Sequence, residues 1–97
     1  MNYKIVNKVL YVCDRYGNPG RRISENVSFS TFDDKTSMFL ITKIDGKVEL
    51  RDINGNITRV ISSDVYEARF QQDEIILRKK DGKNCITDKF GNIKRYI

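Results

Sequence analysis

The sequence predicts an all-β protein, a single domain of 97 residues built from about three tandem antiparallel β-meander repeats. Three observations carry that prediction. A 17-residue segment occurs twice with nine identities. Asp-Gly and Asp-x-x-Gly turn signals recur between short apolar runs. No stretch sustains the spacing of an amphipathic helix.

The repeat is legible without a gap. Residues 45–61 read DGKVELRDINGNITRVI and residues 81–97 read DGKNCITDKFGNIKRYI. The identities are Asp45/Asp81, Gly46/Gly82, Lys47/Lys83, Asp52/Asp88, Gly55/Gly91, Asn56/Asn92, Ile57/Ile93, Arg59/Arg95 and Ile61/Ile97. A weaker copy opens the chain, with Asp14, Gly17, Asn18, Arg21 and Ile23 in register. The repeats span about residues 1–23, 24–61 and 62–97, and the first is truncated.

The elements follow in order. Val9–Cys13 is an apolar strand-like run, and Asn18-Pro19-Gly20 stiffens the turn after it. Val27–Phe32 forms the next strand, and Asp33–Ser37 turns the chain. Asp45-Gly46 joins the strand Met38–Ile44 to Val48–Arg51, because glycine supplies positive φ at no steric cost. Asp52-x-x-Gly55-Asn56 is a second turn, in which the aspartate caps backbone amides. Beyond it, Ile57, Arg59 and Ile61 are expected on one strand face, with Thr58 and Val60 on the other. Ser63 or Asp64 could cap a short helix, but aromatic and β-branched content favours a strand over Val65–Phe70. Tyr66, Ala68 and Phe70 should share a face there. Ile75–Lys79 and Asn84–Thr87 flank Asp81-Gly82, and a last strand follows Gly91. The count is about eleven strands: three, four and four.

Composition narrows the chemistry. There is no histidine, which removes Ser-His-Asp and Cys-His catalysis and histidine metal sites. Cys13 and Cys85 belong to no C-x-x-C pair and read as reduced core thiols. No phosphate loop is present, and no cofactor or metal is expected. The longest apolar run is too short for a membrane-crossing helix, and no apolar signal follows Met1. A soluble cytoplasmic protein is expected. Net charge is +5. It divides as five basic against one acidic residue over 1–24, five against six over 25–61, and eight against six over 62–97. Basic ends suit an acidic protein or nucleic acid.

A four-strand repeat of about 37 residues resembles a propeller blade. The pattern D-G-K, four residues, D-x-x-G and an alternating strand, with Tyr66-x-Ala68-x-Phe70 upstream, resembles the WG-repeat family of bacterial β-repeats over roughly residues 7–97. Where that family carries Trp-Gly, this chain has Val48-Glu49, Asn84-Cys85 and Leu10-Tyr11. The tyrosine-aspartate repeats of Rhs-type shells share D-x-x-G-N with a shorter period. The WG resemblance implies a binding or scaffold role and carries over no catalytic residue. Propellers close with four to eight blades. Two chains in a homodimer would supply about six, whereas one chain would have to close as a small barrel or sandwich.

The candidate binding residues are basic and aromatic. Arg78, Lys79 and Lys80, with Lys83 across the hairpin, form the densest basic cluster; it reads as a solvated face or as a patch for an acidic partner. Arg21, Arg59 and Arg95 share one register. They read either as arginines paired or packed over the core, or as a basic ring for an anion. Tyr16 and Phe90 occupy equivalent turn positions beside basic residues, where a base could stack. Asp33-Asp34 and Asp73-Glu74 are the acid–base candidates, on exposed turns where nothing raises a carboxyl pKa.

The expected function is a small non-catalytic protein-binding module, an adaptor or inhibitor. The alternative is a basic nucleic-acid or nucleoprotein binder. Glycan binding and catalysis stand behind both, because tryptophan and the usual nucleophile–base pairs are missing.

Overall fold

A computed structural model describes residues 2–97, and the described residues are all β-strand and turn. Eleven strands form three separate antiparallel sheets. Sheet 1 orders β1 (Asn2–Val6), β2 (Val9–Cys13) and β3 (Pro19–Ser24). Sheet 2 orders β4 (Val27–Asp33), β5 (Met38–Lys43), β6 (Val48–Asp52) and β7 (Ile57–Ser62). Sheet 3 orders β8 (Val65–Gln71), β9 (Glu74–Lys79), β10 (Cys85–Thr87) and β11 (Ile93–Tyr96). Each sheet is an uninterrupted meander with two edge strands. The sheets do not close into a barrel, which removes that alternative. No helix long and apolar enough to cross a membrane is present among the described residues.

Tight turns build the meanders. Asn7 and Lys8 both take positive φ, a two-residue turn whose twist suits a hairpin. The corresponding turn in sheets 2 and 3 is longer and turns at Gly46 and Gly82. Asn26 and Asp64 take positive φ where one sheet hands over to the next, as their short polar side chains allow. Pro19 begins β3, an edge strand, where its missing N–H costs no ladder bond.

The core lies in two layers between three sheets. Leu10 and Ile23 of sheet 1 meet Val27, Phe39 and Ile41 of sheet 2. Tyr3, Phe32 and Phe39 stack there, with Tyr3 edge-on to Phe39 at 5.4 Å between centroids. Leu40, Val48, Leu50 and Ile61 of sheet 2 meet Val65, Ala68, Ile75, Leu77 and Cys85 of sheet 3. Strand β5 explains the arrangement. Successive side chains point to opposite faces, so Phe39 and Ile41 enter one layer and Leu40 the other. Thr42 is fully buried, and its Oγ1 accepts a hydrogen bond from the Ala68 amide of edge strand β8 at 3.1 Å.

Two expected alternations fail, both at bulges. Tyr66 does not join Ala68 and Phe70. The β8–β9 register slips between Val65 and Glu67, which leaves Tyr66 as the extra, exposed residue. On β7 the register slips between Val48 and Glu49 and again between Leu50 and Arg51. Of Ile57, Arg59 and Ile61, only Ile61 is therefore buried.

Candidate binding site

The D-x-x-G-N turn is the same local device three times. Asp14 Oδ1 accepts from the amides of Tyr16 and Asn18, both at 2.9 Å. Asp52 does so for Asn54 and Asn56, and Asp88 for Phe90 and Asn92. The asparagine side chain then donates to the second carboxylate oxygen. The asparagine backbone amide, more than any other group, holds all three carboxyls below the usual aspartate range. Gly17, Gly55 and Gly91 take φ of 83°, 88° and 90° to complete the turns. These turns present Tyr16 and Phe90 to solvent.

The repeated arginines tie sheets together. Arg21 Nη1 donates to Asn54 Oδ1 at 2.9 Å and to the Ile53 carbonyl. The Arg59 guanidinium lies 4.9 Å from the Phe90 ring centroid. Asn54 and Phe90 hold the same place in their turns, so each arginine reaches forward to the next sheet. Arg95 instead meets Glu74 Oε1 at 3.4 Å. Lys94 also bonds Glu74 at 2.8 Å, and that bond is the main reason the Glu74 carboxyl sits below its ordinary range. All three arginines are exposed at the surface.

The basic cluster divides in two. Lys79 Nζ donates to Ser62 Oγ at 3.1 Å and to the Ser63 carbonyl at 2.7 Å. Lys43 makes the matching bonds to Ser24 Oγ and the Glu25 carbonyl. Lys79 is thus a strut between sheets 2 and 3. Arg78 pairs with Glu67 at 3.7 Å. Lys80 and Lys83 are exposed and make no ion pair within 4.0 Å among the described residues.

Topology separates the cluster from Phe90. Lys79, Lys80 and Lys83 flank the β9–β10 hairpin, whereas Phe90 sits in the turn at the far end of β10. Strand β11 runs back, so that Tyr96 pairs with Cys85 and the Ile97 amide donates to the Asn84 carbonyl. Lys83, Asn84, Tyr96 and Ile97 consequently line one shallow depression. Tyr96 and Ile97 are both exposed. Asn84 and Ile97 are not candidates from the sequence. The available signal is that Ile97 aligns with Ile61, which is buried at 7% exposure, while Ile97 itself is 65% exposed.

Two of the acid–base candidates, Asp33 and Glu74, have carboxyls held below their ordinary range. The Thr36 hydroxyl donates to Asp33 and lowers its carboxyl pKa, as Lys94 does for Glu74. Glu49 is buried but paired with Arg51 at 2.7 Å and Lys47 at 3.8 Å. Arg51 also bonds the carbonyls of Ile23 and Gly55, so the group fastens sheet 1 to sheet 2. Cys85 is buried, which pushes its thiol pKa up, and Cys13 is half-buried. No group of three metal-ligating side chains occurs among the described residues. The chain matches no protein-family model, and no curated protein matches it significantly.

Proposed function

We propose that this chain is a small non-catalytic protein-binding module made of propeller-blade-like β-repeats of the WG-repeat kind, working in the cytoplasm. The blade reading is supported by the seams between sheets, at residues 24–27 and 62–65, which fall where the sequence repeats meet. It is supported further by the recurrence of the same turn and the same inter-sheet struts at aligned positions.

The observation that carries the binding reading is the outer face of sheet 3. Sheet 2 buries Val48, Leu50 and Ile61 beneath its neighbour, whereas of the aligned residues in sheet 3 Ile86 is buried, Asn84 is half-buried and Ile97 is exposed. Ile97 stands exposed beside Lys83, Asn84 and Tyr96. An apolar patch with a polar, basic rim is the composition of a protein interface. Affinity capture with the wild-type chain and with Ile97→Asp tests it. A partner retained by the first and lost by the second is expected; retention that ignores the substitution refutes the reading.

A second reading rests on Lys80 and Lys83, exposed and with no acidic partner within 4.0 Å among the described residues. They suit a nucleic-acid backbone, with Arg78 beside them. Titration with single- and double-stranded oligonucleotides at low and physiological salt tests it. Binding through phosphates must weaken steeply with salt. No binding at low salt refutes it.

A further inference from the structure

We infer that the partner of the outer face of sheet 3 is a second copy of this chain, docked head to tail through its sheet 1. This inference rests on the binding-module reading and names the partner of that same face. The argument comes from how the sheets already join. At each internal seam, a D-x-x-G turn presses its glycine against the backbone of the isoleucine that closes the preceding sheet. A Cβ on Gly55 would lie 3.2 Å from the Ile23 carbonyl oxygen. A Cβ on Gly91 would lie 2.6 Å from the Ile61 carbonyl oxygen. At each seam an arginine two residues before that isoleucine reaches the exposed turn residue, Arg21 to Asn54 and Arg59 to Phe90.

Both halves of this joint are left over, one at each end of the stack. Sheet 3 carries Ile97 and Arg95 in the isoleucine and arginine places. Ile97 is exposed, and Arg95 has turned back to Glu74 on its own sheet. Sheet 1 carries the D-x-x-G turn with no other sheet against its glycine, and only its own Arg15 lies over the Tyr16 ring, at 5.1 Å. No atom lies within 4 Å of a Cβ built on Gly17, and Tyr16 is 75% exposed. Docking Ile97 against Gly17 of another copy would reproduce the seam and set Arg95 over Tyr16 as Arg59 lies over Phe90. The contact is confined to the turn side, since sheet 1 has no strand matching β4 or β8. It is heterologous, so it closes as a ring or propagates. Two copies bring six sheets, a number at which propellers close. Charge adds a signature. Both ends are net positive, at five against one and eight against six, so screening by salt should strengthen association. Phosphate binding would do the opposite.

Sedimentation of the purified chain over a range of concentrations and salt tests this. Wild type is expected to reach twice 11.3 kDa, more readily as salt rises. Gly17→Asn and Ile97→Asp are each expected to return it to 11.3 kDa with the circular dichroism of the folded chain unchanged. Asparagine tolerates the left-handed backbone at that turn, so the first variant keeps the fold while filling the docking space. A wild type that stays monomeric throughout, or an oligomer that survives both substitutions, overturns the inference. A monomer that captures a different protein through Ile97 also overturns it and leaves the binding-module reading standing.

Discussion

Gly91→Ala and Gly17→Ala form a matched pair that measures how tightly the sheets are seated. Both glycines occupy the same turn position with nearly the same φ, 90° and 83°. Alanine in the left-handed region costs roughly 1–2 kcal/mol at either site. The surroundings differ. The new methyl at residue 17 meets nothing within 4 Å, whereas at residue 91 it lies 2.6 Å from the Ile61 carbonyl oxygen. That oxygen belongs to backbone, so relief requires sheets 2 and 3 to move apart. Overpacking of this kind adds about 1–3 kcal/mol. Each kcal/mol moves the midpoint of a domain this size by about 4–8 °C. Thermal and urea unfolding at low protein concentration should therefore place Gly91→Ala at least about 4 °C below Gly17→Ala. Gly82→Ala should resemble Gly17→Ala, because its Cβ also meets nothing within 4 Å. Equal losses at residues 17 and 91 would refute the claim that the turn glycine seats one sheet on the next.

Four further outcomes follow from the same geometry. Leu40→Ala removes a fully buried side chain from the layer between sheets 2 and 3 and should cost about 2–5 kcal/mol in urea unfolding. The capped aspartates have folded pKa values below their unfolded ones. Their stabilisation is therefore complete above the ordinary aspartate value, about 3.9, and is lost as pH falls through the folded values. Asp52→Asn should lower the melting temperature at neutral pH and flatten its acid decline in a pH series. Lys79→Ala should destabilise the fold, because it removes the strut to Ser62 and Ser63. Lys80→Ala and Lys83→Ala should leave the unfolding free energy within about 0.5 kcal/mol of wild type, so that any binding they abolish reports on binding alone.

The turns and the strand count were legible in the sequence because their causes are local. An Asp-x-x-Gly-Asn turn is closed by bonds within four residues, such as Asp14 to Tyr16 and Asn18, and those bonds form wherever the segment lies. Asp-Gly between apolar runs sets a hairpin for the same reason. The eleven strands and the three-four-four grouping followed from them. Side-chain direction was less legible. Period-two alternation assumes an unbroken ladder, and bulges near Tyr66 and along β7 break it.

The partners of the arginines were decided by tertiary structure alone. Arg21 and Asn54 are separated by 33 positions, and nothing near Arg21 in sequence distinguishes a tie between sheets from a free cation. The same holds for Lys79, which the sequence groups with Lys80 and the structure turns towards Ser63. Buried Glu49 stood out in no pattern, because its ion pair with Arg51 gains its place only once sheet 1 lies against sheet 2. Backbone chemistry acts over a few residues and can be read along the chain. Charge pairing and burial depend on which sheet faces which, and only the packed sheets supply that.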